Sequence, residues 1–280
     1  TLPDENFGIV DSHGFETVLG YNDKAGDFGY SVTGNFAFSR NKIIEYDEPA
    51  RAVDWQRFTG HPVNAVLQYN CIGVFDDAND MPGYPRVADS YAANSGGGGG
   101  IIIENYNNDD KISADDRIIY DFTTVPEITY GVTIGFNYKS FSFSTLLQGV
   151  GNTWYRADFP IMGTWGNYWQ YYAEDRWTVD NKTASKPRSF ERVEDFWRES
   201  YLTDFDYYNH AFCRWKNLEI AYDFPQSLIQ KIKLKNLRIY LSGQNLALLY
   251  NAFAYKHDPE GSNVTSYPLH KVYAVGARVA

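Results

Sequence analysis

The stretch that decides the fold is residues 129–150, TYGVTIGFNYKSFSFSTLLQGV. An apolar residue stands at every second position from Tyr130 to Tyr138, with small or polar residues between them. Lys139 and Ser140 interrupt the pattern, which resumes at Phe141. Because alternate side chains of a β-strand point to opposite faces, the stretch predicts a hairpin with one apolar and one uncharged polar face. Segments of about ten residues with this alternation are typical of membrane β-barrels.

The composition agrees with strands in a membrane and excludes several other classes of protein. Aromatic residues make up 17% of the 280 residues, and Tyr and Trp are enriched where barrels meet the membrane surface. No apolar run approaches the roughly 20 residues of a transmembrane helix. The net charge of −10 argues against nucleic acid as a partner. Two cysteines are too few for a disulfide framework.

Seven segments alternate in this way, and they predict strands at 15–21, 28–39, 129–138, 141–150, 212–224, 237–244 and 272–280. Short connections at 22–27, 139–140 and 225–233 take turns with long ones at 40–128, 151–211 and 246–271. Bacterial barrels have short periplasmic turns and long extracellular loops. We therefore predict an all-β fold, about seven strands of a large antiparallel transmembrane β-barrel. Such barrels have an even number of at least eight strands, so we expect residues 1–280 to form the C-terminal part of a longer chain.

Three smaller features lie within the connections. Residues 64–75 also alternate, but their position predicts strand structure inside the first long loop rather than in the membrane. Residues 226–232 predict a helical turn within a short connection, where Lys231 and its neighbouring lysines are interpreted as surface charge. The glycine run Gly96–Gly100 is interpreted as a flexible link without a function.

Several short motifs follow one another along the chain in a recognisable order. They are NFGIVDSHGFE (6–16), GHP (60–62), GVF (73–75), residues 105–117, PEITYG (126–131), QGVG (148–151), WKNL (215–218), YDFP (222–225), SGQNL (242–246), DPE (258–260) and YPL (267–269). Together they resemble the C-terminal part of SusC-like TonB-dependent outer-membrane transporters. The resemblance implies a barrel of about 22 strands, an N-terminal plug, a TonB-contacting segment and a SusD-like lipoprotein as a lid. We expect neither the plug nor the TonB-contacting segment among these residues.

Oxygen-bearing side chains recur along 105–116 with the spacing of an EF-hand-like loop. The ligand positions would be taken by Asn105, Asn107, Asp109 and Asp116, with Lys111 and Ser113 between them. Such ligands suit a hard cation such as Ca²⁺. However, Asp110 stands where the sharp turn needs Gly, and Asp116 is shorter than the usual Glu. A calcium site and a polar loop held by Asx turns therefore both stay open, and no cofactor is assigned.

The densest aromatic run lies in the second long loop and includes Trp165, Tyr168, Trp169 and Tyr171. Flat apolar faces beside amide groups suit sugar rings or peptides, so we predict that these four residues contact the substrate. Packing within the loop, contact with the lid protein and aromatics at the membrane surface are the alternatives.

Nothing in the sequence indicates catalysis. The histidines show no metal-ligand spacing, and there is neither a nucleophile elbow nor a phosphate loop. The resemblance instead implies import of oligosaccharides or oligopeptides across the bacterial outer membrane, without enzymatic activity. The implied partners are a SusD-like lipoprotein, TonB and the lipid bilayer. A passive porin-like barrel and a soluble carbohydrate-binding β-sandwich remain as alternatives.

Overall fold

The computed structural model describes residues 7–75, 83–85, 99–157, 170–188, 203–253, 257–261 and 266–280. The chain divides into two units. The first unit contains Thr1–Asp11, Asn41–Phe122 and Tyr155–Tyr208. The second unit contains Ser12–Arg40, Thr123–Trp154 and Asn209–Ala280.

Strands are the main elements of the described residues. They are β1 (Gly8–Ala25), β2 (Phe28–Tyr46), β3 (Val66–Gln68), β4 (Cys71–Val74), β5 (Ile101–Ile103), β6 (Ile118–Tyr120), β7 (Ile128–Tyr138), β8 (Phe141–Gly151), β9 (Trp154–Arg156), β10 (Tyr207–Asn209), β11 (Phe212–Asp223), β12 (Leu237–Asn251) and β13 (Val272–Val279). The α-helices are α1 (Gln170–Glu174) and α2 (Gln226–Ile229). Short 3-10 helices cover Asp54–Gln56, Ala114–Asp116, Asp204–Asp206 and Gln230–Ile232.

The long strands form a seven-stranded sheet in the order β1-β2-β7-β8-β11-β12-β13. Each long strand thus lies beside the next long strand along the chain, and the pairs from β2 to β13 are antiparallel. The predicted number, order and direction of the strands are confirmed. The sheet is open, with β1 and β13 at its edges.

Three strands are longer than predicted. β1 runs from Gly8 to Ala25 instead of 15–21, β2 continues to Tyr46 instead of ending at residue 39, and β12 continues to Asn251 instead of ending at residue 244. The pairing of β11 with β12 is irregular between Trp215 and Asn217, and Asn245 has a left-handed backbone with φ of 52°. An irregularity of this kind shifts the side-chain alternation, so the second half of β12 carries no simple period-2 pattern.

The turn at 139–140 lies where it was predicted, whereas the first connection, predicted as 22–27, consists only of residues 26 and 27 because β1 extends to Ala25. Gly26, with φ of 63°, turns the chain between β1 and β2, and Lys139, with φ of 51°, turns it between β7 and β8. The predicted helical turn is α2 followed by the 3-10 helix Gln230–Ile232. Ile229 is 2% exposed and holds this turn to the protein.

The first unit has a small core of its own. Strand β3 pairs with β6, and β4 pairs with β5. The core consists of Tyr69, Ile101, Ile103 and Ile112, with Cys71, Tyr84 and Phe205 packed against it. The strand structure predicted for 64–75 is therefore confirmed as two short strands outside the seven-stranded sheet.

Candidate functional site

The register of the large sheet gives each face one kind of side chain. One transverse row, read from β2 to β13, is apolar throughout: Tyr30, Phe136, Phe143, Ile220, Leu241 and Val275. The row of their chain neighbours lies on the opposite face and is small or polar: Ser31, Gly135, Ser144, Glu219, Ser242 and Ala274. The sheet is therefore a wall between an apolar and a polar surface.

Aromatic side chains mark both ends of the apolar face. One end row contains Phe28, Tyr138, Phe141 and Tyr222, and the other contains Phe36, Tyr130 and Tyr250. Tyr130 and Tyr138 are eight residues apart in β7, which is about 27 Å along a strand. A tilt of about 40° reduces that height to about 20 Å, close to the apolar band of an outer-membrane barrel.

The apolar face is uncovered in this structure. Tyr273 is 71% exposed and Val275 is 76% exposed, and many other large apolar side chains of the sheet are also exposed. Contiguous apolar surfaces of this kind mark contact with a membrane or with another protein. The buried Thr145 interrupts the face, and its hydroxyl donates to the Asn217 carbonyl at 2.8 Å and accepts from Trp215 Nε1 at 2.6 Å. Its polar atoms are thus satisfied within the sheet.

A depression of about 530 Å³ lies along the middle of the sheet. Its lining includes the apolar Leu146 and Leu218 as well as hydroxyl and amide groups and one carboxylate, from Thr133, Ser144, Asn217, Glu219, Ser242 and Gln244. Such groups can donate to and accept from a polar solute at many positions without a strongly charged binding site. This surface is chemically suited to line the path of a hydrated solute.

Charged groups cluster on the polar face at the end with short turns. Arg238 Nη1 lies 2.9 Å from Asp223 Oδ2, and its Nη2 lies 3.2 Å from Glu219 Oε1. The same Nη2 donates to Ser142 Oγ at 3.0 Å. The side chains of these charged residues are 28–48% exposed, so this cluster contributes little to stability.

A second charged cluster is buried at the end with long connections. Arg214 is 4% exposed, and its Nε lies 2.5 Å from Glu260 Oε2. Its Nη2 also contacts Asp258 Oδ1, and Lys216 Nζ lies 2.7 Å from Glu260 Oε1. Asp258 Oδ2 accepts from the Leu269 N–H at 3.2 Å. This network fixes part of the third long connection to β11.

The sequence does not predict this network. It shows DPE at 258–260 only as a short motif, and it shows Arg214 and Lys216 only as residues of a predicted strand. β11 carries Arg214 and Lys216, but it also carries Glu219 and Asp223, so its charges do not indicate a partner outside the strand. The partner could not be identified, because it lies 44 residues away in the chain.

Glu127 fixes the entry to the hairpin that begins at β7. Its carboxylate accepts from Arg40 Nε at 2.9 Å and from Arg40 Nη2 at 2.6 Å. It also accepts from the Asn152 amide, and the Glu127 N–H donates to the Asn152 carbonyl at 3.2 Å. Glu127 is 8% exposed, whereas the Arg40 side chain is 49% exposed, so a half-buried ion pair joins β2 to both strands of the hairpin.

The first unit contains a buried titratable cluster. Asp204 accepts from the Cys71 N–H at 2.7 Å and from the Tyr120 hydroxyl at 3.2 Å. Burial raises the pKa of Asp204 and raises the pKa of Cys71 to about 12. Burial and the nearby Asp204 also raise the pKa of Tyr120. Because the thiolate is the reactive form of cysteine, Cys71 is an inert core residue rather than a nucleophile.

Two histidines flank Phe253: His210 comes from the second long connection, and His257 comes from the third. The Phe253 ring packs edge-on against His210 at 5.8 Å and against His257 at 6.0 Å. Burial lowers the pKa of both imidazoles. These rings therefore form a neutral packing cluster at neutral pH.

The predicted calcium loop is held by its own hydrogen bonds. The Asp109 N–H donates to Asn107 Oδ1 at 3.0 Å, and the Lys111 N–H donates to Asp109 Oδ1 at 2.8 Å. Both contacts are Asx turns. Asp116 is fully buried and accepts from the Ser113 N–H at 2.7 Å and the Asn107 N–H at 3.3 Å. Asn105 Nδ2 donates to the Asp109 carbonyl at 2.6 Å. The calcium site stays a prediction, and the contacts agree with the Asx-turn alternative.

The predicted substrate contacts cannot be placed. Trp165, Tyr168 and Trp169 lie outside the described residues, and Tyr171 belongs to α1. Of the glycine run, Gly99 and Gly100 are described, and the Gly99 carbonyl accepts from the Arg188 N–H at 2.9 Å. That end of the run is therefore hydrogen-bonded.

The described part of the chain contains no group of three or more His, Cys, Asp or Glu side chains placed to hold a metal ion. None of its helices is both long enough and apolar enough to cross a membrane.

No protein-family model matches the chain. TonB-dependent receptor P3 of Formosa agariphila is 26% identical over 256 residues, which is 86% of this chain and 24% of the receptor. The chain resembles part of a TonB-dependent receptor. Receptor P26 of the same organism is 26% identical over 277 residues, 92% of this chain and 26% of that receptor.

Solved structures agree on the fold of this receptor-like segment. The structure of the RagAB peptide transporter matches 98% of this chain and 30% of its own chain, with a TM-score of 0.67 and 20% identity. The RagAB peptide importer in the open-open state gives a TM-score of 0.68 at 18% identity. The predicted resemblance to a SusC-like transporter and the predicted barrel fold are confirmed. The segment spans about a quarter of the curated relatives that it matches.

Proposed function

We propose that this chain is part of the barrel of a TonB-dependent importer in a bacterial outer membrane. The observation that carries the proposal is the two-faced sheet, whose apolar face is exposed between two aromatic rows. Its short turns lie at one edge and its long connections at the other. The named receptors that it resembles support the same function.

In the proposed mechanism the chain moves a solute and forms no bonds. The long connections and a SusD-like lipoprotein capture an oligosaccharide or an oligopeptide. A plug domain outside these residues, drawn by TonB, then opens a path along the polar face of the sheet. The hydroxyl and amide groups at Thr133, Asn217 and Gln244 would exchange hydrogen bonds with the passing solute. The similarity to the RagAB peptide transporter supports an oligopeptide, and the aromatic run equally suits a glycan.

The β-sandwich and the passive porin, which are the two alternatives, predict different structures and different transport. A β-sandwich would cover the apolar face with a second sheet, whereas Leu241 and Val275 on that face are 52% and 76% exposed. A passive porin would transport its solute without TonB. Uptake of labelled oligopeptides and oligosaccharides by cells that express the full-length chain, with and without TonB, separates the importer from the porin. TonB-independent uptake would refute the proposal.

The aromatic run is the proposed substrate contact. Replacing Trp165 and Trp169 by alanine should weaken substrate binding by roughly tenfold for each ring that stacks on the ligand. Isothermal titration with the substrate identified by uptake measures the change. Trp177 ends the same run, and its backbone N–H donates to the Lys186 carbonyl at 2.9 Å. Trp177→Phe keeps both an aromatic ring and this backbone contact, so it is the aromatic-retaining control. Unchanged affinity in W165A/W169A would assign the run to loop packing or to the lid.

A further inference from the structure

The turn between β11 and β12 has a charge opposite to that of the chain. Residues 225–236 contain Lys231, Lys233 and Lys235 and no acidic residue, whereas the whole chain carries a net charge of −10. All of these lysines are exposed, and none of them forms an ion pair with another described residue. The turn therefore presents a small cationic surface.

The same turn exposes two aliphatic side chains. Leu228 is 53% exposed and Ile232 is 62% exposed. They are four residues apart across α2 and the 3-10 helix that follows it, so they lie on neighbouring positions of one helical face. The intervening Ile229 is buried, which shows that the other side of the turn is the one that packs against the protein.

Hydrogen bonds fix the backbone that carries these groups. Gln226 Nε2 donates to the Lys235 carbonyl at 2.6 Å, and the Leu234 N–H donates to the Ile229 carbonyl at 3.1 Å. The Lys235 N–H donates to the Ala280 carbonyl at 2.7 Å. The exposed aliphatic and cationic groups are thus held at one surface by a closed turn.

The exposed apolar face of the sheet reaches this turn. Tyr222 of β11 and Ile239 of β12 are paired on that face, and they are 41% and 40% exposed. The Asp223 N–H donates to the Ser140 carbonyl at 2.8 Å, so the turn that carries Lys139 lies at the same edge. Lys139 Nζ lies 5.4 Å from the centre of the Tyr138 ring. Apolar and cationic groups therefore occur together along this edge.

We propose that residues 225–236 bind anionic phospholipid headgroups and anchor this edge of the sheet at the membrane surface. The inference rests on the proposed function, which places the apolar face in lipid. Exposed aliphatic side chains next to lysines are the chemistry of segments that lie in a membrane interface. Leu228 and Ile232 contact the acyl boundary, while Lys231 and Lys235 pair with lipid phosphates.

The test uses the full-length chain in lipid nanodiscs with rising fractions of phosphatidylglycerol in phosphatidylcholine. Native mass spectrometry counts the phosphatidylglycerol molecules that stay bound to each chain. K231Q/K235Q avoids Lys233, whose left-handed backbone would complicate a substitution. The matched control is K42Q/K271Q, which removes the same charge from two lysines that are also exposed.

Each lysine near an anionic surface contributes roughly a fivefold preference, so K231Q/K235Q should lower the apparent affinity for phosphatidylglycerol by about thirtyfold. L228S/I232S should lower the affinity for both lipids. Its control is V63S/V179S, at positions that are 52% and 73% exposed. Both control variants should bind lipid as the unaltered chain does.

Three outcomes would overturn the proposal. Equal losses in K231Q/K235Q and K42Q/K271Q would show a general charge effect. Binding of soluble polyglutamate to the turn as tightly as phosphatidylglycerol would assign it to an acidic protein. Failure of the unaltered chain to enter a bilayer would refute the proposed function itself, and heat-modifiable migration in SDS gels detects that failure separately.

Discussion

Ile134 and Thr133 are adjacent in β7, and they provide a direct test of which face of the sheet meets lipid. Ile134 is 37% exposed on the apolar face, and Thr133 is exposed on the polar face. The Ile134 row lies midway between the two aromatic rows, because Tyr130 and Tyr138 are each four residues away. In a barrel, Ile134 is therefore at the middle of the bilayer.

The expected effects of arginine at these two positions differ by a calculable amount. A lipid-facing arginine at the bilayer midplane costs roughly 2–4 kcal/mol, which corresponds to a change of roughly 30- to 1,000-fold in the folding equilibrium. Ile134→Arg should lose this stability. Thr133→Arg should lose well under 1 kcal/mol, because surface substitutions away from packed groups are usually within about 0.5 kcal/mol.

The measurement is guanidinium unfolding of the full-length chain in phospholipid vesicles, followed by tryptophan fluorescence. If I134R and T133R unfold at the same denaturant concentration, the apolar face does not meet lipid. A larger loss in T133R than in I134R would reverse the assigned faces.

Three further predictions follow from particular contacts. Arg214→Met should destabilise the second unit by about 3–5 kcal/mol, since it leaves buried carboxylates without their partner. Arg238→Met should cost at most about 1 kcal/mol, because its ion pairs are partly exposed. Thermal melts measure both losses of stability, and equal losses would contradict this prediction. Because the pKa of Asp204 is raised, the stability of the first unit should fall as the pH rises from the ordinary carboxyl pKa through the raised pKa. Hydrogen-exchange protection of the Cys71 amide measures this pH dependence, and Asp204→Asn should remove it. A pH dependence that persists in Asp204→Asn would indicate that another group titrates. If Asx turns alone hold the 105–116 loop, added Ca²⁺ should leave its hydrogen exchange unchanged, whereas protection that is lost in Asp109→Asn would establish the calcium site.

The faces of the strands could be read from the sequence because the direction of a side chain in a strand is a local property. Residues 129–138 alternate, the pattern resumes at Phe141 after Lys139 and Ser140, and the structure has strands at Ile128–Tyr138 and Phe141–Gly151. Alternation failed in the second half of β12, where the irregular pairing near Trp215 shifts the side chains. A bulge depends on the partner strand, so the sequence of β12 alone contains no signal for it.

The candidate site was less accessible to sequence analysis. The aromatic run and the calcium-like spacing were visible as patterns, but neither pattern shows what its side chains contact. The Asx-turn bonds of Asn107 and Asp109 were an explicit alternative, because they join residues two apart. The depression along the polar face needed the register of several strands, which no single segment specifies.

The sequence by itself determined that seven strands, with alternating short and long connections, separate an apolar from a polar surface. Period-2 alternation and connection length are properties of neighbouring residues, so they can be read from the sequence before the fold is known. The tertiary structure alone decided which charges meet. Arg214 contacts Asp258, which is 44 residues away in the chain. The Cys71 amide donates to Asp204, which is 133 residues away. Such contacts depend on the register of the sheet and on how each long connection folds back, and burial then makes them strong enough to hold the loops in place.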